Sequence, residues 1–142
     1  LKIRDGGEGC TFLSGDGRCM IHGARPGFCR MFPLGRIYEN GDFKYFLQVY
    51  ECSYPNKTKI KVKKWIGIPE LPRYEQFVKD WHFFLKKVQE RLAETENDEI
   101  VKSINMHLLN QFYVKPYRAS EADVRETDFY EQFYERFRNA TG

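Results

Sequence analysis

Tyr74-Glu75-Gln76-Phe77-Val78-Lys79-Asp80-Trp81-His82-Phe83-Phe84-Leu85-Lys86-Lys87-Val88-Gln89-Glu90-Arg91-Leu92 is the stretch that decides the fold class. Tyr74, Phe77, Val78, Trp81, Leu85, Val88 and Leu92 recur at spacings of three and four, which puts them on one stripe of an α-helix. Pro72 stands near the start of this helix, where its missing N–H costs little. Downstream, a second helix is predicted from Asn97 or Asp98 to about Tyr113. Ile100, Val101, Ile104, Leu108 and Phe112 form its apolar face, Asn97 can cap it and Pro116 ends it. A third helix is expected over about Asp123 to Arg138, with Phe129, Tyr130, Phe133 and Phe137 on its stripe and Ser120 as a cap. Packing the three aromatic stripes helix on helix would make the core.

Upstream of the long helix the period changes. Residues 57–64 alternate lysine with Thr58, Ile60 and Val62 and read as a short half-buried strand or extended segment, ended against the core by Trp65. Five lysines in these eight residues could attract phosphate; a solvated strand face is the simpler reading. Residues 1–55 are loop-rich, with glycine in most turns. Thr11-Phe12-Leu13 and Cys19-Met20-Ile21 look like short strands around the turn Ser14-Gly15-Asp16-Gly17-Arg18, which would bring Cys10 and Cys19 close together. Arg36 to Glu39 and Phe43 to Val49 read as a second hairpin around Asn40-Gly41-Asp42, and its far strand would carry Cys52 back towards the first. The expected architecture is α+β and mainly α. A small loop and hairpin cysteine module, residues 1–56, packs on a three-helix C-terminal half within residues 57–142, and the two form one compact domain.

The chain has 142 residues, enough for a core that does not depend on disulfides. Charged residues make up 30% and the net charge is only +3, an ordinary balance that gives no reason to expect a nucleic-acid partner. Aromatics at 16% point to a core of Phe, Tyr and Trp, which also suits enclosing a cofactor. No apolar run is long enough to span a membrane and no signal peptide is visible. A cytoplasmic protein is therefore expected. Because the chain begins at Leu1 rather than Met, it reads as a piece whose upstream residues, including any targeting signal or further ligands, are missing.

The chemistry concentrates in four cysteines, Cys10, Cys19, Cys29 and Cys52, spaced Cys-x8-Cys-x9-Cys-x22-Cys. Thiolates are soft anionic ligands that suit zinc and iron–sulfur clusters, and four of them complete a tetrahedral or cubane site. These spacings lack the tight Cys-x-x-Cys pairs of zinc ribbons and ferredoxins. An even cysteine count also allows two disulfides, and unlinked buried thiols are the third possibility. In a reducing compartment clustered cysteines more often bind metal.

The string Cys10-x-Phe12-Leu13, Asp16-Gly17-Arg18-Cys19-x-Ile21 and Arg25-Pro26-x-x-Cys29-Arg30-x-Phe32-Pro33 resembles the signature of the zinc- or iron-chelating cysteine-cluster proteins (YkgJ-like). The likeness is dense over residues 5–33, and Cys52 sits where such proteins often carry another cysteine. Members usually have a Cys-x-x-x-Cys-x-x-Cys-Cys cluster upstream, absent here, and Tyr where this chain has His22. The resemblance implies a metal-binding protein whose cellular role is unassigned. A related group, the flagellin lysine N-methylases, carries a similar cluster and uses S-adenosylmethionine, which makes a protein-lysine methyltransferase-like enzyme the alternative. No glycine-rich loop of the kind that cradles such a cofactor follows a strand here.

The remaining candidates have two readings each. Arg25 and Arg30 flank Cys29 and could bind the cofactor by balancing the charge of a thiolate site; equally, Arg25 could bond backbone carbonyls in the Arg-Pro turn. His22, His82 and His107 read as surface or core residues more readily than as ligands. Tyr45, Phe46, Tyr50 and Trp65 could wall the cysteines from water, and core packing explains them as well. The expected function is thus metal binding through Cys10, Cys19, Cys29 and Cys52. An iron–sulfur cluster, 4Fe–4S, is favoured over zinc, because wide loop spacing suits a bulky cluster. A protein partner or substrate is possible, a purely structural zinc or interaction module is the other rival, and whether the chain is an enzyme stays open.

Overall fold

A computed structural model describes residues 9–51, 58–118 and 128–141. The fold is mainly α with one small antiparallel sheet, and the chain divides into two compact units, Leu1–Leu71 and Pro72–Gly142.

The first unit opens on a hairpin closed by a single bridge, Leu13 to Cys19, rather than by two strands. The Met20 N–H donates to the Phe12 carbonyl, and the Ser14 N–H to the Arg18 carbonyl. Ser14 also accepts the Arg18 N–H at 3.0 Å on its hydroxyl, which bonds Asp16 as well, so one side chain organises the whole turn. That hydroxyl holds the Asp16 carboxyl below the usual carboxylate range. A 3-10 turn, His22–Ala24, leads to the short helix α1, Gly27–Met31. The Phe32–Pro33 peptide is cis.

Strands β1, Leu34–Glu39, and β2, Asp42–Leu47, then form the sheet, in register from Leu34 opposite Leu47 to Glu39 opposite Asp42. The expected second hairpin is present, with its turn at Asn40-Gly41, both at positive φ. Gly35 is buried opposite Phe46, and a Cβ there would run into the Phe46 ring.

The lysine-rich segment departs from expectation. Residues 58–61 belong to no strand, and Val62–Ile66 form a helix, α2. Val62, Trp65 and Ile66 share a helical face, and burial of Ile66 at 2% exposure outweighs the alternating pattern that suggested a strand. Gly67, left-handed at φ 61°, ends α2.

The second unit holds α3, Leu71–Ala93, most of which falls in it, α4, Asp98–Leu109, and α5, Phe129–Thr141. Asn97 caps α4 as expected, accepting the Glu99 and Ile100 N–H groups. Beyond Leu109 the helix widens into a π-helical turn, Asn110–Val114. The third helix runs from Phe129 to Thr141; residues 123–127 of the expected span lie outside the described residues. Asp128 accepts the Glu131 N–H while Glu131 accepts the Asp128 N–H, a reciprocal capping box that fixes the start. Ser120, the expected cap, lies outside the described residues.

Aromatic rings make the core of this unit. Phe133, 2% exposed, meets Phe77 edge to face at 4.7 Å and lies 5.6 Å from both Trp81 and Phe112. Phe84 meets Phe137 at 5.2 Å. Each such pair adds about 0.5–1.5 kcal/mol beyond area burial.

Candidate metal centre in the cysteine module

Cys10 stands at the entry to the first hairpin, its carbonyl accepting the Leu13 N–H at 3.1 Å. Cys19 stands on the returning side, bridged to Leu13. Cys29 lies within α1. All three are half-buried and none is in a disulfide. Cys52 lies outside the described residues.

Among the described residues no three His, Cys, Asp or Glu side chains converge as a metal ion requires, so Cys10, Cys19 and Cys29 do not by themselves form a closed cage. The donor set nonetheless fits a soft metal in kind. Three unlinked thiols, partly withdrawn from water, occupy one 20-residue span of one unit, on the hairpin and the helix that follows it.

The two arginines flanking Cys29 bond backbone. Arg25 Nε donates to the His22 carbonyl at 3.1 Å. Arg30 spreads its guanidinium over three carbonyls: Nε to Arg25 at 3.0 Å, Nη2 to Gly23 at 2.8 Å and Nη1 to Gly67 at 3.3 Å. It thereby ties the loop between Cys19 and Cys29 to the end of α2. The Trp65 Nε1 makes a second tie, donating to the Phe32 carbonyl at 3.0 Å. Sequence reading assigned Arg30 to charge balance and missed this clamp; its partners lie as far as 37 positions away and leave no periodic mark.

His22 is exposed, and its carbonyl is what Arg25 bonds. His82 sits edge-on to the Phe83 ring at 5.2 Å, and His107 lies in the last turn of α4. Of the four aromatics that could wall the cysteines, Tyr45 is half-buried, Phe46 and Trp65 are 40% and 45% exposed, and Tyr50 is 98% exposed. Tyr50 walls nothing in this arrangement.

The second unit carries its own polar cluster. The Tyr134 hydroxyl donates to Asp80 at 2.8 Å, and Gln76 donates to the other Asp80 oxygen at 2.8 Å. Burial first, and then this bond to a carboxylate, push the Tyr134 phenol well up. Arg136, only 9% exposed, donates to the Gln111, Lys115 and Pro116 carbonyls, each at 2.8 Å, and lies over the Tyr117 ring. Gln132 both donates to the Arg118 carbonyl and accepts the Arg118 N–H. These contacts satisfy the backbone left open by the π turn and the segment after it. No helix among the described residues is long and apolar enough to cross a membrane.

No family model, no curated protein and no solved structure matches this chain.

Proposed function

We propose that the first unit is a metal-binding module in which Cys10, Cys19, Cys29 and Cys52 hold one iron–sulfur cluster, with zinc as the alternative metal. The observation that carries the reading is the run of three unlinked, half-buried thiols on the first hairpin and α1, around a loop that Arg30 clamps at two carbonyls and ties to the end of α2 through a third. The resemblance of residues 5–33 to the YkgJ-like cysteine-cluster proteins supports it. When bound, a cluster would supply electron transfer or a structural staple, and zinc only the staple.

In this reading the chain's own residues hold and orient the ligands. The Leu13–Cys19 bridge fixes the hairpin on which Cys19 sits, and Arg30 fixes the approach to Cys29. Cys52 would close the set. A thiolate site of this kind belongs in a reducing, cytoplasmic setting.

Anaerobic purification with an absorption spectrum and elemental analysis tests the proposal. Iron with sulfide and a brown absorption establish the cluster, and one zinc in a colourless protein establishes the alternative. Cys19→Ser should release the metal in either case. A protein that binds neither, or that keeps its full metal content as Cys19→Ser, would sink the reading.

A further inference from the structure

We propose a second site, independent of the cysteines: an open cleft beside α2 that binds a compact ligand carrying two or more clustered phosphates. The cleft, about 470 Å³, is lined by Lys61, Lys63, Lys64, Gly67, Ile68 and Pro69. Three lysines and no acidic residue line it, and Ile68 and Pro69 give it an apolar wall. Lys59, Lys61, Lys63 and Lys64 are exposed, and no ion pair ties any of them down among the described residues. A ligand would therefore not have to displace a carboxylate.

The backbone that carries these lysines is held in place. Trp65 is bonded to the Phe32 carbonyl, and Arg30 donates to the carbonyl of Gly67, itself a lining residue. Gly67 adopts a left-handed conformation and accepts no penalty for it, so the chain turns sharply from the lysines to the Ile68-Pro69 wall. Two hydrogen bonds thus hold the backbone from which the lysines reach.

Charge distribution argues for a compact phosphate ligand over a nucleic acid. Residues 57–69 contain five lysines and no acidic residue, in a chain whose net charge is +3, so the rest of the sequence is net negative. A nucleic-acid surface needs a basic track that neutralises many phosphates along a strand. Here the net excess of positive charge is concentrated in one short segment, which matches a few phosphates held close together.

Calorimetry on the full chain with tripolyphosphate, inorganic phosphate and sulfate, at an ionic strength of about 0.15 M, tests this. Tripolyphosphate should bind about tenfold or more tighter than either single anion, because several lysines act on it at once. The combined substitution Lys61→Gln, Lys63→Gln and Lys64→Gln should weaken it by about tenfold or more, with an unchanged circular dichroism spectrum. Lys86→Gln, Lys87→Gln and Lys102→Gln together, all exposed on helices of the other unit, should leave binding unchanged. Vesicles with and without a polyphosphorylated inositol lipid separate the sources. Binding to free tripolyphosphate alone assigns a soluble ligand, and lysine-dependent binding to those vesicles as well assigns a headgroup; both support the site. Absence of tripolyphosphate binding, an equal loss in the control variant, or stronger binding of a long single-stranded oligonucleotide at equal phosphate concentration overturns it. Metal content should be the same in both variants, which separates this site from the cysteine module.

Discussion

The two units of this chain hold themselves together by different means. In Pro72–Gly142, rings from α3, the π turn after α4, and α5 converge on Phe133, and two buried polar side chains, Gln132 and Arg136, satisfy backbone that would otherwise be left open. In Leu1–Leu71 the buried apolar side chains among the described residues, Met31, Ile66 and Leu71, form no such ring cluster, while Phe28 and Met20 are 68% and 63% exposed. Its loops are tied instead by side-chain to backbone bonds from Ser14, Arg30 and Trp65. A unit whose loops are held by such bonds stands to gain from a cross-link, and its cysteines are the residues able to supply one.

That contrast can be broken at several points. The largest effect is expected from the thiols: Cys29→Ser should abolish metal binding and most of the amide protection in the first unit, yet leave that of α3 and α5 intact. Segment-resolved hydrogen exchange reads both halves at once, and uniform loss would remove the contrast. Next, Phe133→Ala should cost the helical unit about 3–5 kcal/mol in denaturant unfolding, through lost burial and a cavity among the rings. Arg136→Met should cost about 2–3 kcal/mol, because three carbonyls lose their donors. Arg30→Ala should be milder, about 1–2 kcal/mol and confined to the first unit, since its bonds are partly exposed to water.

The smallest effect is pH-dependent. The Arg73 guanidinium, with the Glu131 N–H, holds the Asp128 carboxyl below its ordinary value of 3.8. A depressed carboxyl stabilises the folded state above its unfolded pKa and stops doing so as pH falls through the folded one. The melting temperature of the helical unit should therefore fall between about pH 5 and about pH 2, and Asp128→Asn should flatten that fall. An unchanged slope would show that the Arg73–Asp128 pair contributes nothing measurable.

The helical unit was largely legible in the sequence because its order is periodic. The stripe from Tyr74 to Leu92 gave α3, Asn97 gave the start of α4, and Asn40-Gly41 gave the sheet's turn. Where local chemistry competed with periodicity, the reading went astray. Alternating lysines suggest a strand or extended segment at residues 57–64; residues 58–61 lie in no strand, and the i, i+3, i+4 set of Val62, Trp65 and Ile66 makes α2. Phe129 and Tyr130 fall in α5, as the stripe indicates, and the Asp128–Glu131 box caps it. Arg30, Gln132 and Arg136 could not be foreseen as clamps, because bonds to distant carbonyls depend on the folded path and not on spacing. In the candidate site, sequence named the thiols; the structure adds the hairpin bridge and the Arg30 clamp that position two of them.

The most direct test of the central claim is amide exchange in the first hairpin, compared between metal-loaded and chelator-treated protein. The Met20 and Ser14 amides, bonded to the Phe12 and Arg18 carbonyls, report on the segment joining Cys10 to Cys19. If four thiolates complete this unit, loading should slow their exchange by about a hundredfold or more while the amides of α5 stay unchanged. Equal exchange in both preparations, with metal present in one and absent in the other, would contradict the account.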